Sequence, residues 1–304
     1  MAATGTPSAS APASAASPLQ QLTKFRPGTR VLLIDKHSRP GGYATNFERP
    51  KQAARLDCSL HKLSGMGGEG NLRRILGGLG ADEALSFIHP DHYFAAILPD
   101  RRIVLPNEAA ATEAVLAEVF PTEREGLAQF FQDAASHGKD GYFQYQMLSG
   151  DYRPDMKALR AAHRTLKRVT VAEKLDGLFS SSELKNILAA PAVYVGAFPE
   201  EISYLYYLHV VYATLHAGNA YVLGSAQRLS DHLVERIVSA GGGINLSNPV
   251  RRVLSDGAGR ATGVETLKGR YFSDRIFLNA APHYALDHLF AADEALVPVR
   301  AKRS

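Results

Sequence analysis

The 304-residue chain has a single cysteine, Cys58. One thiol excludes an internal disulfide and a cysteine-built metal site, and it fits a reducing compartment. Long hydrophobic runs are also lacking. The longest apolar stretch, Ile202 to Ala217, falls short of the ~20 residues that cross a bilayer. It carries His209 and His216 and reads as a buried helix. No apolar core follows a charged start, so no secretory leader is expected. The net charge of +4 is mild, and no dense basic tract interleaved with aromatics appears. That pattern argues against nucleic acid as a partner. The eleven histidines lack the spacing and carboxylate partners of a metal motif.

What is present is concentrated at residues 30–42. Val31 to Ile34 is a short apolar run that ends on a carboxylate, Asp35. In a dinucleotide-binding βαβ unit, an acidic residue at the end of the second strand accepts hydrogen bonds from a ribose. Arg39, Gly41 and Gly42 follow in a turn. The guanidinium suits phosphate oxygens, and the glycines let the backbone pass close to a ligand. The glycine loop of such a unit belongs about twenty residues upstream of the acid. There the chain has Pro12, Ser14 and Ser17 instead. The segment Met1 to Pro18 is almost entirely Ala, Ser, Pro and Thr, a composition that predicts disorder. Its Ala/Ser content faintly resembles a transit peptide, but the first arginine is Arg26.

Further along, Tyr43 to Phe47 and Arg55 to Leu60 read as short extended pieces. Cys58 reads as a small buried hydrophobe at a strand end rather than a reactive thiol. Gly65 to Gly70 formally matches Gly-x-Gly-x-x-Gly. It follows no β-branched strand and has no acidic strand end ~20 residues later, so it reads as a turn before a helix at Asn71 to Leu79. His92 to Leu98 and Arg101 to Leu105 predict a hairpin around Pro99-Asp100. Helices are expected at Glu108–Val119, Thr122–His137, Asp155–Lys167, Thr170–Leu178, Ser181–Ala190 and Ala226–Ala240. Strands follow at Ile244–Leu246, Val250–Leu254, Ala261–Leu267 and Tyr271–Leu278, with turns at Asp256-Gly257 and Lys268-Gly269.

Four blocks in this order resemble the phytoene desaturase, carotenoid isomerase and retinol saturase family. They are Ile34-Asp35-Lys36-His37 with Gly41-Gly42-Tyr43-Ala44-Thr45-Asn46-Phe47; Asp57 with His61; Gly224 to Leu233; and Asn279-Ala280-Ala281-Pro282. The resemblance runs from about residue 28 to residue 290. It implies an α/β fold: an incomplete FAD/NAD(P)-binding, Rossmann-like domain with an inserted α+β substrate domain. The expected division is 1–27 low-complexity; 28–90 nucleotide domain; 91–220 mainly helical substrate domain; and 221–304 a return to the nucleotide domain with antiparallel strands. The resemblance further implies FAD as cofactor, held by Asp35, Lys36, Arg39, Gly41, Gly42, Val250 and Ala280. The substrate would be a hydrophobic polyene, desaturated, saturated or isomerised at its C–C bonds. The catalytic residues are not legible. Missing glycine-loop and C-terminal flavin segments imply weak flavin affinity, and the alternative is a member that binds apolar ligand or partner without turnover.

Several side chains carry two readings. His61 is a hydrogen-bonded core histidine or a residue facing the flavin. Tyr204, Leu208, Val211 and Leu215 share one helix face, as core or as the wall of a polyene tunnel. Lys157, Arg160, Arg164, Lys167 and Arg168 form a solvated charged face or a contact to anionic lipid. The expected location is cytoplasmic or peripheral to a membrane, with organelle targeting as a weaker possibility.

Overall fold

A computed structural model describes residues 2–4, 30–68, 70–143, 152–256 and 258–290. Of the segment expected to be disordered, residues 2–4 form a strand; the rest, like the tail beyond residue 290, lies outside the described residues. The chain opens with β1 (Ala2–Thr4) and β2 (Val31–Ile34), then a hairpin of β3 (Asn46–Arg49) and β4 (Ala54–Asp57). Next come β5 (Leu63–Ser64), α1 (Asn71–Gly77), α2 (Ala81–Ala84) and β6 (Phe87–Ile88). A hairpin of β7 (His92–Ile97) and β8 (Arg102–Pro106) leads into α3 (Ala109–Val119), α4 (Arg124–Asp133), α5 (Lys139–Tyr142), α6 (Met156–Leu166), α7 (Val171–Leu178), α8 (Ser182–Ala189) and α9 (Tyr204–Val211). The last part holds β9 (Asn219–Val222), α10 (Ala226–Ser239), β10 (Gly243–Asn245), β11 (Val250–Ser255), β12 (Ala261–Thr266), β13 (Arg270–Phe272), β14 (Arg275–Phe277) and the helical turn α11 (Pro282–Tyr284).

One sheet has the order β10-β2-β1-β14. Strand β10 runs parallel to β2, and β1 is antiparallel to both of its neighbours. Hence β2, β10 and β14 all point the same way. Ile244 pairs with Leu33, Leu33 with Ala2, and Ala2 with Phe277, so those residues lie level across the sheet. Strand β2 is apolar throughout, with Val31 and Ile34 buried, as a strand covered on both faces requires. A second sheet, β11-β12-β13, is antiparallel and packs Val253 and Val264 against Ile34, Ala285 and Leu289. The single strand expected over Tyr271–Leu278 is in fact two. The Ser273 hydroxyl accepts from the Arg275 amide at 3.1 Å and bends the chain, sending β13 to one sheet and β14 to the other.

The helical part follows its sequence signals closely. Glu108 caps α3 through the amides of Ala110 and Ala111, Asp155 caps α6, and Thr170 with Glu173 forms a capping box on α7. Its core joins Leu116, Leu127, Phe130, Val171, Leu184, Tyr204, Tyr207 and Leu208. Two buried acids are satisfied there. Glu123 accepts from the Ser180 and Ser181 amides at 3.0 and 2.7 Å. Asp133 accepts from the Tyr204 hydroxyl at 3.1 Å and Gln129 at 2.6 Å, with the Lys174 ammonium 3.4 Å away.

The expected apolar helix 202–217 is α9 continued by a wider π-type turn, Tyr212–His216. Tyr204, Leu208, Val211 and Leu215 are all buried in the core, as the core reading requires. The charged side of α6 is exposed at Lys157, Arg160 and Arg164, while Ala162 packs inward. Among the described residues no helix is long and apolar enough to cross a membrane.

The Gly65–Gly70 stretch is a turn with a packing role. The amides of Gly65 and Gly67 donate to the carbonyls of Gly218 and Ala217 at 2.8 and 2.7 Å. A Cβ on Gly67 would come within 2.8 Å of the Ala217 carbonyl oxygen. At the start of α1, the Asn71 amide donates to the Tyr142 hydroxyl at 2.8 Å.

Candidate functional site

The carboxyl ends of β2, β10 and β14 meet at one sheet edge. Asp35 and Lys36 follow β2 directly, and Asn279 and Ala280 follow β14 by two and three residues, at the same end of the sheet. Ligands of open α/β sheets sit outside such carboxyl ends. Asp35 is held by its backbone: its amide donates to the Asn245 carbonyl at 3.1 Å, and its carbonyl accepts from the Asn248 amide at 2.9 Å. The carboxylate Oδ1 accepts from the His37 amide at 2.9 Å. Oδ2 accepts no hydrogen bond from the described residues. Val250 is two residues past Asn248. It lies beside this edge through that loop, but it begins a strand of the other sheet.

The turn after Asp35 is tied to α10. Gly41 has φ +116°, a conformation side chains avoid, and a Cβ there would meet the Ser230 Oγ at 2.2 Å. Ser230 donates to the Ala44 carbonyl at 2.6 Å, and Gln227 donates to the Pro40 carbonyl at 3.3 Å. Gly42, φ +60°, has open space where its Cβ would stand. Arg39 Nη1 donates to Asn46 Oδ1 at 2.8 Å, and Asn46 Nδ2 donates to Ser225 Oγ at 2.7 Å. Ser225 itself holds φ +99°, a strained setting for a non-glycine residue. Beside it the Asp57 carboxylate takes the Ala226 amide on both oxygens at 3.3 Å, so the positive end of α10 already has its anion.

That chain of contacts leads from the sheet edge into a cleft of about 930 Å³. Glu48, Arg55, Asp57, His61 and Ser225 supply its polar lining, and Leu56, Leu60 and Tyr221 supply apolar surface. Arg55 and Glu48 face each other at 3.3 Å across the hairpin. A second recess of about 400 Å³ adjoins it and shares Leu60 and His61. Aromatic and aliphatic groups dominate this one: Tyr93, Tyr194, Tyr206, Val195, Val210 and Ala213. Both volumes fall in the usual range of small-molecule sites, about 300–1,000 Å³. Burial holds the His209 imidazole below its ordinary pKa, which keeps it neutral near pH 7. Burial also pushes the Tyr93 phenol up to about 12.

Asp35, Lys36, Arg39, Gly41, Gly42 and Ala280 are thus gathered around one edge and its turn, with Val250 beside them. None of the seven lines either recess. The residues that do line them were missed as site residues. The aromatic recess uses Tyr206, His209, Val210 and Ala213, which lie on the other side of the apolar helix from the face singled out by period. His61 is exposed, not a core histidine, and its ring meets Tyr194 edge-on at 5.9 Å. Cys58 is also exposed, against the buried reading. The hairpin that carries it stands off the core, and Leu56 beside it is exposed as well. Its sulfur accepts a hydrogen bond from Thr45 at 3.3 Å. The run Arg49-Pro50-Lys51-Gln52-Ala53-Ala54-Arg55, which holds no large apolar side chain, is the signal that could have shown this hairpin to be superficial.

Comparisons with known proteins bear on the fold and on relatedness. A profile described as an NAD(P)-binding Rossmann-like domain matches residues 12–79. The neurosporene-forming phytoene desaturase of Rhodobacter capsulatus is 20% identical over 258 residues, covering 84% of this chain and 48% of that protein. The human all-trans-retinol 13,14-reductase is 23% identical over 292 residues, covering 89% of this chain and 46% of that protein. The chain is thus similar to a phytoene desaturase and to retinol 13,14-reductases, and part of it matches a Rossmann-like dinucleotide-binding domain.

Among solved structures, an oxidoreductase from Methanosarcina mazei superposes with a TM-score of 0.64 at 14% identity, over 93% of this chain and 61% of that one. Putrescine oxidase bound to putrescine gives 0.53 at 17%, over 89% and 56%. At these identities the likeness is one of fold: α/β, with a Rossmann-like dinucleotide-binding unit. The chain spans about half the length of the curated relatives it matches, 48% and 46% for the two named here.

Proposed function

We propose that this chain is a member of the phytoene desaturase, carotenoid isomerase and retinol saturase family, an FAD-dependent oxidoreductase acting on the C–C bonds of a carotenoid- or retinoid-like polyene. One observation carries the reading. Asp35, the Gly41-Gly42 turn and Ala280 gather at a single carboxyl sheet edge, linked through Arg39, Asn46 and Ser225 to a large cleft that opens beside an aromatic recess. The residues present fit the cofactor. Asp35 keeps a free carboxylate oxygen for a ribose hydroxyl, and Gly42 leaves its backbone face open. Arg39 has donors beyond the Nη1 spent on Asn46, suited to a phosphate. FAD, when bound, supplies the hydride exchange with the C–C bond. The protein's share is to orient the polyene by flat contact with Tyr194 and Tyr206 and to keep water away.

The test is a visible spectrum of the purified chain after incubation with FAD and desalting, followed by absorption assays with phytoene and all-trans-retinol. A retained flavin band and a change in polyene spectrum are expected. Gly41→Ala should lose the band, because its new Cβ would displace Ser230 and with it the turn. A colourless unsubstituted protein would overturn the cofactor assignment. Retained flavin with bound but unchanged polyene would favour the reading of a binding protein without turnover.

A further inference from the structure

The aromatic recess is lined by one primary amine, and the strand pattern puts it there. Leu63 and Ser64 form β5, and Leu63 is buried in a cluster with Ala220 and Val222. Successive side chains of an extended segment point to opposite faces. Lys62 and Ser64, which flank Leu63, both line the recess. The Lys62 Nζ lies 4.4 Å from the centre of the Tyr93 ring and donates to the Tyr93 carbonyl. Both of these partners are neutral. Among the described residues no carboxylate pairs with this amine, and no aspartate or glutamate lines the recess. Lys174 and Lys185, by contrast, face Asp133 and Asp176 at 3.4 and 2.6 Å. Partial burial lowers the Lys62 pKa from the ordinary lysine value, because the charged form loses water and gains no counter-charge. A lysine whose charge is disfavoured in an apolar pocket is a nucleophile suited to carbonyl groups.

We infer that the recess is a covalent site for an apolar conjugated aldehyde, which condenses with the Lys62 Nζ to form an imine. The amine nitrogen bonds to the carbonyl carbon. Both protons of the neutral amine leave with the aldehyde oxygen as one water molecule, and nothing is oxidised or reduced. His61 and His209 line the same recess and supply imidazoles to carry these protons. The apolar body of the aldehyde lies against Tyr194, Tyr206, Val195 and Val210. The site goes beyond the proposed oxidoreductase activity and does not depend on the flavin.

The experiment incubates the full chain with a stoichiometric amount of all-trans-retinal, traps the imine with sodium cyanoborohydride, and maps the adduct by mass spectrometry of the intact chain and its peptides. One retinyl group per chain is expected, on the peptide that holds Lys62. The chain's other lysines are the internal control, and glyceraldehyde, a polar aldehyde, should show no preference for Lys62. Lys62→Arg keeps a cation beside the Tyr93 ring but forms no trappable imine, so labelling should fall to the background of the other lysines. Lys62→Met should give the same loss. Circular dichroism and thermal melts check that both variants are folded. If neither is, the peptide map of the unsubstituted chain decides. Label spread evenly over the lysines, undiminished labelling of the folded variants, or no adduct would each overturn the inference. Flavin retention is read on separate samples. A colourless protein labelled at Lys62 keeps this inference and fails the cofactor reading; a yellow protein without the adduct does the reverse.

Discussion

The helical region and the sheet-edge region are held together by different means. Among the described residues, the helical core joins 23 buried hydrophobic side chains, whereas the cluster behind the sheet edge joins five. The first region is fixed by burial. The second is fixed by directed polar contacts: Asp35 to the 245–248 loop, Arg39 to Asn46 to Ser225, and Ser230 to Ala44. Non-directional burial tolerates small errors in placement, while a hydrogen-bonded edge around a ligand does not. The sheet edge therefore sits where the apolar core is thin.

Substitutions at matched sites sharpen this contrast. Leu127→Ala removes a fully buried side chain from the large core and should cost about 3–4 kcal/mol, because densely packed neighbours cannot collapse into the cavity. Ile34→Ala, 3% exposed in the small cluster, should cost nearer 2 kcal/mol. Paired denaturant titrations compare them, and equal losses would erase the distinction.

Asp133→Ala should cost about 2–3 kcal/mol, because it strands the buried Tyr204 hydroxyl and removes the partner of Lys174. Tyr204→Phe in the same background should then be close to neutral, which a double-mutant cycle would reveal.

A smaller effect comes from acid. Burial lowers the pKa values of His209 and His216 below 6.5, so the unfolded chain binds more protons than the native one as pH drops through that value. Stability should be full above pH 6.5 and fall on acidification below it. Melting curves across this range should show a shallower decline for His209→Gln than for the unsubstituted chain.

The smallest change is expected at Cys58. It is exposed, so a thiol reagent should label the native protein at one site, and Cys58→Ser should shift stability by less than about 0.5 kcal/mol.

The helical part was readable because each helix announces itself locally. Glu108, Asp155, Thr170 and Ser181 are all acidic or hydroxylated residues at helix starts, and all four cap. The β7–β8 hairpin was equally plain from Pro99-Asp100 between two β-rich runs. Residues Val31 to Gly42 also gave up their strand, acidic end and glycine turn, because these rest on short-range chemistry. What only the tertiary structure decided is which distant pieces share a space. Sequence alone could not show that Ser273 splits one apolar run between two sheets, or that Asp57 and the hairpin before it wall a cleft with Ser225. It also could not show that the back of the apolar helix, rather than its periodic face, meets Lys62 and Tyr93. Helix caps and strand patterns are set by neighbours a few residues away, and the chain records them directly. A recess is set by packing between segments more than a hundred residues apart, and no local signal encodes which side chains will line it.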